Sequence, residues 1–221
     1  MATQWNYTKL ETFGRTRLSE NFFMREFLHS EIAQSKGLLN APENPELAVE
    51  TGRHLCEEIL EPIQAAWGRI FVRSGYRSPD VNALGNREKM NCSNNEANRA
   101  AHIWDQLDSK GSMGATACIV VPAWLEHFER TGDWVSLAWW VHHHVPGYYE
   151  MCFFKHLCAF NIRWYEKHDG NTTIKSFLEN PDTGDKSALI NRGVIHPRYA
   201  SLTPESRYSN ARAVLHGRQT Q

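Results

Sequence analysis

The stretch 45–67 restricts the fold more than any other part of the chain. Leu55, Ile59, Leu60, Ile63 and Trp67 recur at three- and four-residue steps, the spacing of one face of an α-helix. Pro45 suits a first helical turn. Pro62 has to sit late in the helix or bend it, and Gly68 stops it. Such a helix carries an apolar stripe that something must cover. Residues 69–74 read as a strand, and so does 116–121, an apolar run ended by Pro122. Residues 158–164 alternate and give a third core strand. Further helices are expected over about 19–28, 123–130 and 134–143. Another should run to Trp104 after the capping box Ser93-x-x-Glu96. Helices and strands do not alternate strictly, so the class is α+β, with a small antiparallel sheet flanked by helices.

Organisation follows from where the apolar density lies. Residues 1–18 are polar with scattered aromatics and read as an extended N-terminal arm. Residues 19–165 hold the core domain, and 166–221 read as an extended C-terminal tail. Lys and Arg total 24 against 25 Asp and Glu, so a nucleic-acid coat is not expected. The longest apolar run, 117–121, is far short of the roughly 20 residues of a membrane span. The N-terminus has no basic patch followed by an apolar stretch, so no secretory signal is expected. The five cysteines are odd in number and none form Cys-x-x-Cys, which speaks against a disulfide framework or a zinc knuckle.

The segment Ser74-Gly75-Tyr76-Arg77-Ser78-Pro79, with Asn82 just beyond, follows a helix and a strand. Upstream stand Leu18-Ser19-Glu20-Asn21-Phe22 with Glu26-Phe27, and Leu55 through Ile63; downstream stands Ala117-Cys118-Ile119-Val120-Val121-Pro122. In this order the motifs resemble the zinc D-alanyl-D-alanine carboxypeptidase superfamily, which includes phage endolysins that cut L-alanyl-D-glutamate bonds. The resemblance covers roughly 18–165. It implies that family's fold and, in an active member, a zinc held by two His and one Asp with water in the fourth position. Laid on the family pattern, the first His position falls on Gly111, the Asp on Cys118 and the last His on Asn161. All three ligands are then replaced. A second alignment uses His102 with Asp105 or Asp108, at the cost of an insertion and of moving the carboxylate off the strand. The resemblance also makes Arg77 and Tyr76 the residues expected to bind, Arg77 because a guanidinium fork suits a substrate carboxylate.

Other candidates read more simply as structure. His142, His143 and His144 are adjacent and cannot all face one ion on a helix. They read as a helix end near the negative dipole, although His144 or His142 with His102 and Cys118 could form a new site. Glu150 and His156 read as surface polar residues. Cys118, inside an apolar run, reads as a buried filler rather than a nucleophile. Trp134, Trp139 and Trp140 lie on one expected helix, so at least one is expected at the surface or an interface.

The resulting expectation is a non-catalytic structural or binding protein on a degenerate peptidase-like scaffold, without cofactor. It would be a phage virion component of tail or capsid type, made in the host cytoplasm. Its terminal arms would dock on neighbouring subunits, and a peptidoglycan peptide is a possible ligand. The alternative is a zinc-dependent cell-wall peptidase.

Overall fold

The structure is a computed structural model and describes residues 4–201. The class is α+β. Among these residues seven strands form one sheet, in the order β1-β2-β4-β3-β5-β6-β7. The chain divides into two compact units. The first comprises 4–61, 72–118 and 163–167, the second 62–71, 119–162 and 168–201.

The first unit opens with α1 (Tyr7–Gly14), capped by Asn6. The helix expected over 19–28 is only a 3-10 turn, Met24–Phe27, after a bridge between Arg17 and Phe23. α2 (Glu31–Lys36) is stopped by Gly37 at a left-handed φ of 64°. α3 (Pro45–Leu55) runs through a π-helical turn, Cys56–Leu60, into α4 (Glu61–Trp67). Pro62 explains the π turn. Its ring would crowd the carbonyl four residues back, and a wider turn relieves the clash. The Glu61 N–H accordingly reaches back five residues to the Cys56 carbonyl. The expected apolar stripe is buried from Leu55 to Trp67.

β1 (Phe71–Ser74) leads into α5 (Pro79–Arg87), whose N-cap is Ser78. The helix expected up to Trp104 is a single turn, α6 (Asn95–Asn98), capped by Asn94. It stops because the following backbone is used elsewhere. Ala100 takes a φ of 51°, and the Ala101 carbonyl accepts the Thr116 N–H at 2.9 Å. Thr116 belongs to β2 (Gly114–Val120), buried throughout, which is why its sequence is apolar without alternation. A Cβ on Gly114 would lie 2.1 Å from the Ala100 carbonyl oxygen.

The second unit contains α7 (Pro122–Thr131) and α8 (Val135–His144), close to their expected limits. β3 (Tyr148–Phe153) and β4 (Phe160–Tyr165) are neighbours, joined by a link too short for a parallel crossover. The Phe154 N–H closes that link on the Ala159 carbonyl at 2.8 Å. β5 (Thr173–Ser176) then pairs with β3 in parallel, and β6 (Ile190–Asn191) and β7 (Val194–Ile195) add antiparallel. The sheet is therefore mixed and larger than the small antiparallel sheet expected. The extended tail expected from 166 is folded as far as residue 201. Its strands are two to four residues long, with Ile174, Leu189 and Ile190 buried, and so little apolar sequence escapes notice by periodicity. The rest of that expected tail, 202–221, and residues 1–3 of the N-terminal arm lie outside the described residues.

The expectation of an exposed tryptophan is overturned. Trp134, Trp139 and Trp140 are 0%, 3% and 4% exposed. Trp134 precedes α8, and its indole donates to the Glu179 carbonyl. Trp140 is covered edge-on by Trp67 at 5.2 Å, and Trp139 by Tyr199 at 5.7 Å. A helix apolar all round is a buried helix.

Candidate functional site

The loop after β1 is held from three sides within the first unit. Gly75 is needed for close approach, because a Cβ there would lie 2.8 Å from the Phe27 side chain. The Tyr76 N–H donates to the Phe27 carbonyl at 3.0 Å and the Arg77 N–H to the His102 carbonyl at 2.8 Å. His102 returns the contact, its Nδ1 donating to the Gly75 carbonyl at 2.9 Å. Asn40 completes the clamp. Its amide nitrogen donates to the carbonyls of Leu28 and Tyr76, and its oxygen accepts the Ser78 N–H.

His102 is the centre of the site. Burial, then the positive charge of Arg77 and Arg163, pushes its pKa down to about 3, against the partial opposition of the Gly75 hydrogen bond. It is a neutral imidazole, with the proton on Nδ1 because a carbonyl can only accept. Arg77 is half-buried, and one guanidinium nitrogen donates to Cys92 Sγ at 3.3 Å. Arg163 was not singled out in the sequence. The alternation that marks β4 was a signal for it, since 161, 163 and 165 share a strand face.

Tyr76, expected beside Arg77 as a binding residue, is fully buried. Its ring packs edge-on against Trp104 at 6.2 Å. Its hydroxyl and Asp105 Oδ1 lie side by side in the interior without a well-formed hydrogen bond. Asp105 Oδ2 accepts the N–H groups of Glu43 at 2.8 Å and Asn44 at 3.3 Å. Burial nonetheless holds the Asp105 carboxyl above its ordinary pKa. Asp108 braces a turn: Oδ1 accepts Lys110 and Ser112 N–H groups, and Oδ2 accepts the Tyr165 hydroxyl at 2.6 Å. Burial would raise its pKa, but the hydrogen bonds from Tyr165, Ser112 and Lys110 outweigh it and hold the carboxylate below the usual range.

The three positions aligned with the family's ligands have other uses. Gly111 is exposed at the end of the Asp108 turn, with a left-handed φ of 70° that favours glycine. Cys118 is buried in β2, and burial, against the lowering effect of Arg73 and Arg77, pushes its thiol up to about 11. It is a protonated filler at neutral pH. Asn161 is half-buried on β4. Among the described residues no three His, Cys, Asp or Glu side chains are grouped to hold a metal ion.

The remaining candidates fall in the second unit. His142, His143 and His144 close α8. His142 Nδ1 meets the Tyr148 hydroxyl at 2.6 Å, and His144 stacks on Trp140 at 4.9 Å. Glu150 pairs with Lys175 at 3.1 Å, while His156 is exposed in the β3–β4 link. The sequence matches no family model and no curated protein, and the fold matches no solved structure.

Proposed function

We propose that the chain is a non-catalytic structural or binding protein on a degenerate zinc-peptidase-like scaffold, serving as a phage virion component of tail or capsid type. The sign of the charge around His102 carries the reading. Arg77 and Arg163, both cationic, act on this imidazole, and cationic neighbours disfavour a dication and favour a carboxylate or another anionic group. The aspartates that could have joined His102 brace other backbone. Hosting a fold does not fix a function, so the virion assignment rests on the motif resemblance. Partner subunits are proposed to engage the chain termini, including the α1 segment, where Tyr7 is 84% exposed. A peptidoglycan peptide carboxylate is the small ligand that Arg77 suits.

One observation favours the alternative, a zinc-dependent cell-wall peptidase. His102 holds its proton on Nδ1 against a carbonyl, which is the tautomer of a metal-ligating histidine. Elemental analysis of purified protein, alongside H102N and a wall-peptide cleavage assay, separates the two. The structural reading expects no stoichiometric zinc that depends on His102 and no cleavage, and expects the chain in purified particles by mass spectrometry. One zinc per chain, lost in H102N together with cleavage, would establish the peptidase instead.

A further inference from the structure

The sheet face that carries Cys118 gathers arginines in the first unit. The Glu166 N–H donates to the Met113 carbonyl at 3.0 Å, so the start of β2 runs against the end of β4 and the two strands are antiparallel. Counting back from that pair sets Arg163 across from Thr116. Side chains two apart share a strand face. Arg163 therefore stands on the face of Thr116 and Cys118, its guanidinium over the Tyr165 ring at 5.0 Å. On the other side of β2 lies β1, which brings the exposed Arg73 and runs on to the half-buried Arg77. Both act on this face: burial raises the Cys118 thiol, and Arg73 and Arg77 pull against it. Arg77 and Arg163 act together on His102.

Guanidinium groups brought to one place repel one another unless an anion sits among them. Among the described residues neither Arg73 nor Arg77 forms an ion pair, and Arg77 spends one nitrogen on Cys92 Sγ. The carboxylate that acts on Cys118 against them is Glu31, which is exposed and 3.9 Å from His29. Three guanidinium charges against that one carboxylate leave an excess of two. We propose that Arg73, Arg77 and Arg163 form a cradle for a dianionic phosphoryl group, either free phosphate or a phosphate monoester. A guanidinium fork pairs two oxygens at once. A terminal phosphoryl group offers three oxygens and about two charges at neutral pH, whereas a carboxylate offers two oxygens and one charge. This inference deepens the anion-binding part of the function proposed above and does not depend on the virion assignment.

The test is a titration of the full chain with inorganic phosphate at low salt and about pH 8, where phosphate is mostly dianionic. Binding is read by calorimetry and phosphorus NMR, with sodium acetate as the monoanion, phenyl phosphate as the monoester, and circular dichroism to confirm that each variant folds. The expected result is saturable binding of one phosphate per chain, at least about 10-fold tighter than acetate. R73Q and R77Q should each weaken it at least about 10-fold. R163Q should do the same, and because its strand is internal the other two variants decide the matter if it fails to fold. Tighter binding of phenyl phosphate would assign the cradle to a monoester, and tighter binding of inorganic phosphate to the free anion. Acetate binding as tightly as phosphate overturns the proposal and leaves a peptide carboxylate as the ligand. Phosphate binding unchanged in folded R73Q and R77Q, or no saturable binding at tens of millimolar phosphate, overturns it as well.

Discussion

Burying His102 as a neutral imidazole has a thermodynamic signature. Its folded pKa, about 3, lies below the unfolded reference of about 6.5. As pH falls through that window the unfolded chain takes up the proton first, so stability present above pH ~6.5 is lost towards pH ~3. For this buried group the loss is about 1.4 kcal/mol per pH unit. The H102N variant places an amide N–H where Nδ1 stood. Chemical denaturation from pH 7 to 4 should show wild type losing ground steadily relative to H102N; parallel curves would contradict the buried neutral imidazole. Asp105 gives a second contrast. D105A leaves the Glu43 and Asn44 N–H groups without their acceptor and should cost about 1–3 kcal/mol. D105N keeps an acceptor and removes a buried charge, so its melting curve should stay close to wild type. Gly114 is the most sterically confined glycine: G114A sets a Cβ against the Ala100 carbonyl and should destabilise by at least about 1–3 kcal/mol in urea denaturation. Gly75 could be read in the sequence as a motif glycine, and Gly114 stands just before the apolar run 116–121. That their need is close approach rather than an unusual φ could not be read, because the approaching atoms belong to residues 27 and 100.

At the scale of elements, sequence and structure agree where one periodic pattern is long. The 45–67 helix, α7 and β4 have such a pattern, and β2 and α8 were legible instead as continuous apolar runs. Agreement fails where a local signal competes with a distant partner. The Ser93-x-x-Glu96 box promised a long helix, and β2 took over the backbone that would have continued it. The opposite miss is α5: its Ser78-Pro79 start is a cap followed by a first-turn proline, yet the expected helices do not include it. Glu61, at the head of α4, ties the helix to the N-terminal segment, accepting the Ser19 hydroxyl and both the N–H and side-chain amide of Asn21, each at 2.7 Å. Burial would raise its pKa, but the hydrogen bonds from Asn21 and Ser19 outweigh it and hold it down. A depressed carboxylate stabilises above its unfolded pKa, near 4.3, and that contribution disappears as pH falls through the folded value. E61Q should speed amide exchange around Asn21 at pH 7, and its difference from wild type should shrink below about pH 4. An unchanged exchange rate would mean that the tie does not hold the segment.

Across the whole molecule, the apolar bookkeeping misplaced the end of the fold. Residues 173–195 give three short strands, each too brief to register as a pattern, and β5 covers an edge of β3 that would otherwise be open. A fragment ending at residue 165 should therefore aggregate or lose its near-ultraviolet circular dichroism, whereas one ending at 201 should melt cooperatively. Equal behaviour of the two would show β5 to β7 to be dispensable. The candidate site was half legible for a related reason. Single residues such as Arg77, His102 and Cys118 stood out, but the setting of His102 depends on Arg163, about sixty residues further on, and every role depends on which backbone groups claim each polar atom.

The distribution of indoles gives the molecule a built-in optical label. Of the 8 tryptophans, Trp67, Trp124, Trp134, Trp139 and Trp140 belong to the second unit, and Trp5, Trp104 and Trp164 to the first. Trp67 lies edge-on to Trp124 and Trp140 at 5.4 and 5.2 Å, close enough for their transition dipoles to couple. The exciton bands of this trio will therefore follow the second unit, while the imidazoles of His54 and His102 report on the first. Two spectroscopies on one sample can follow the two units separately without attaching a dye.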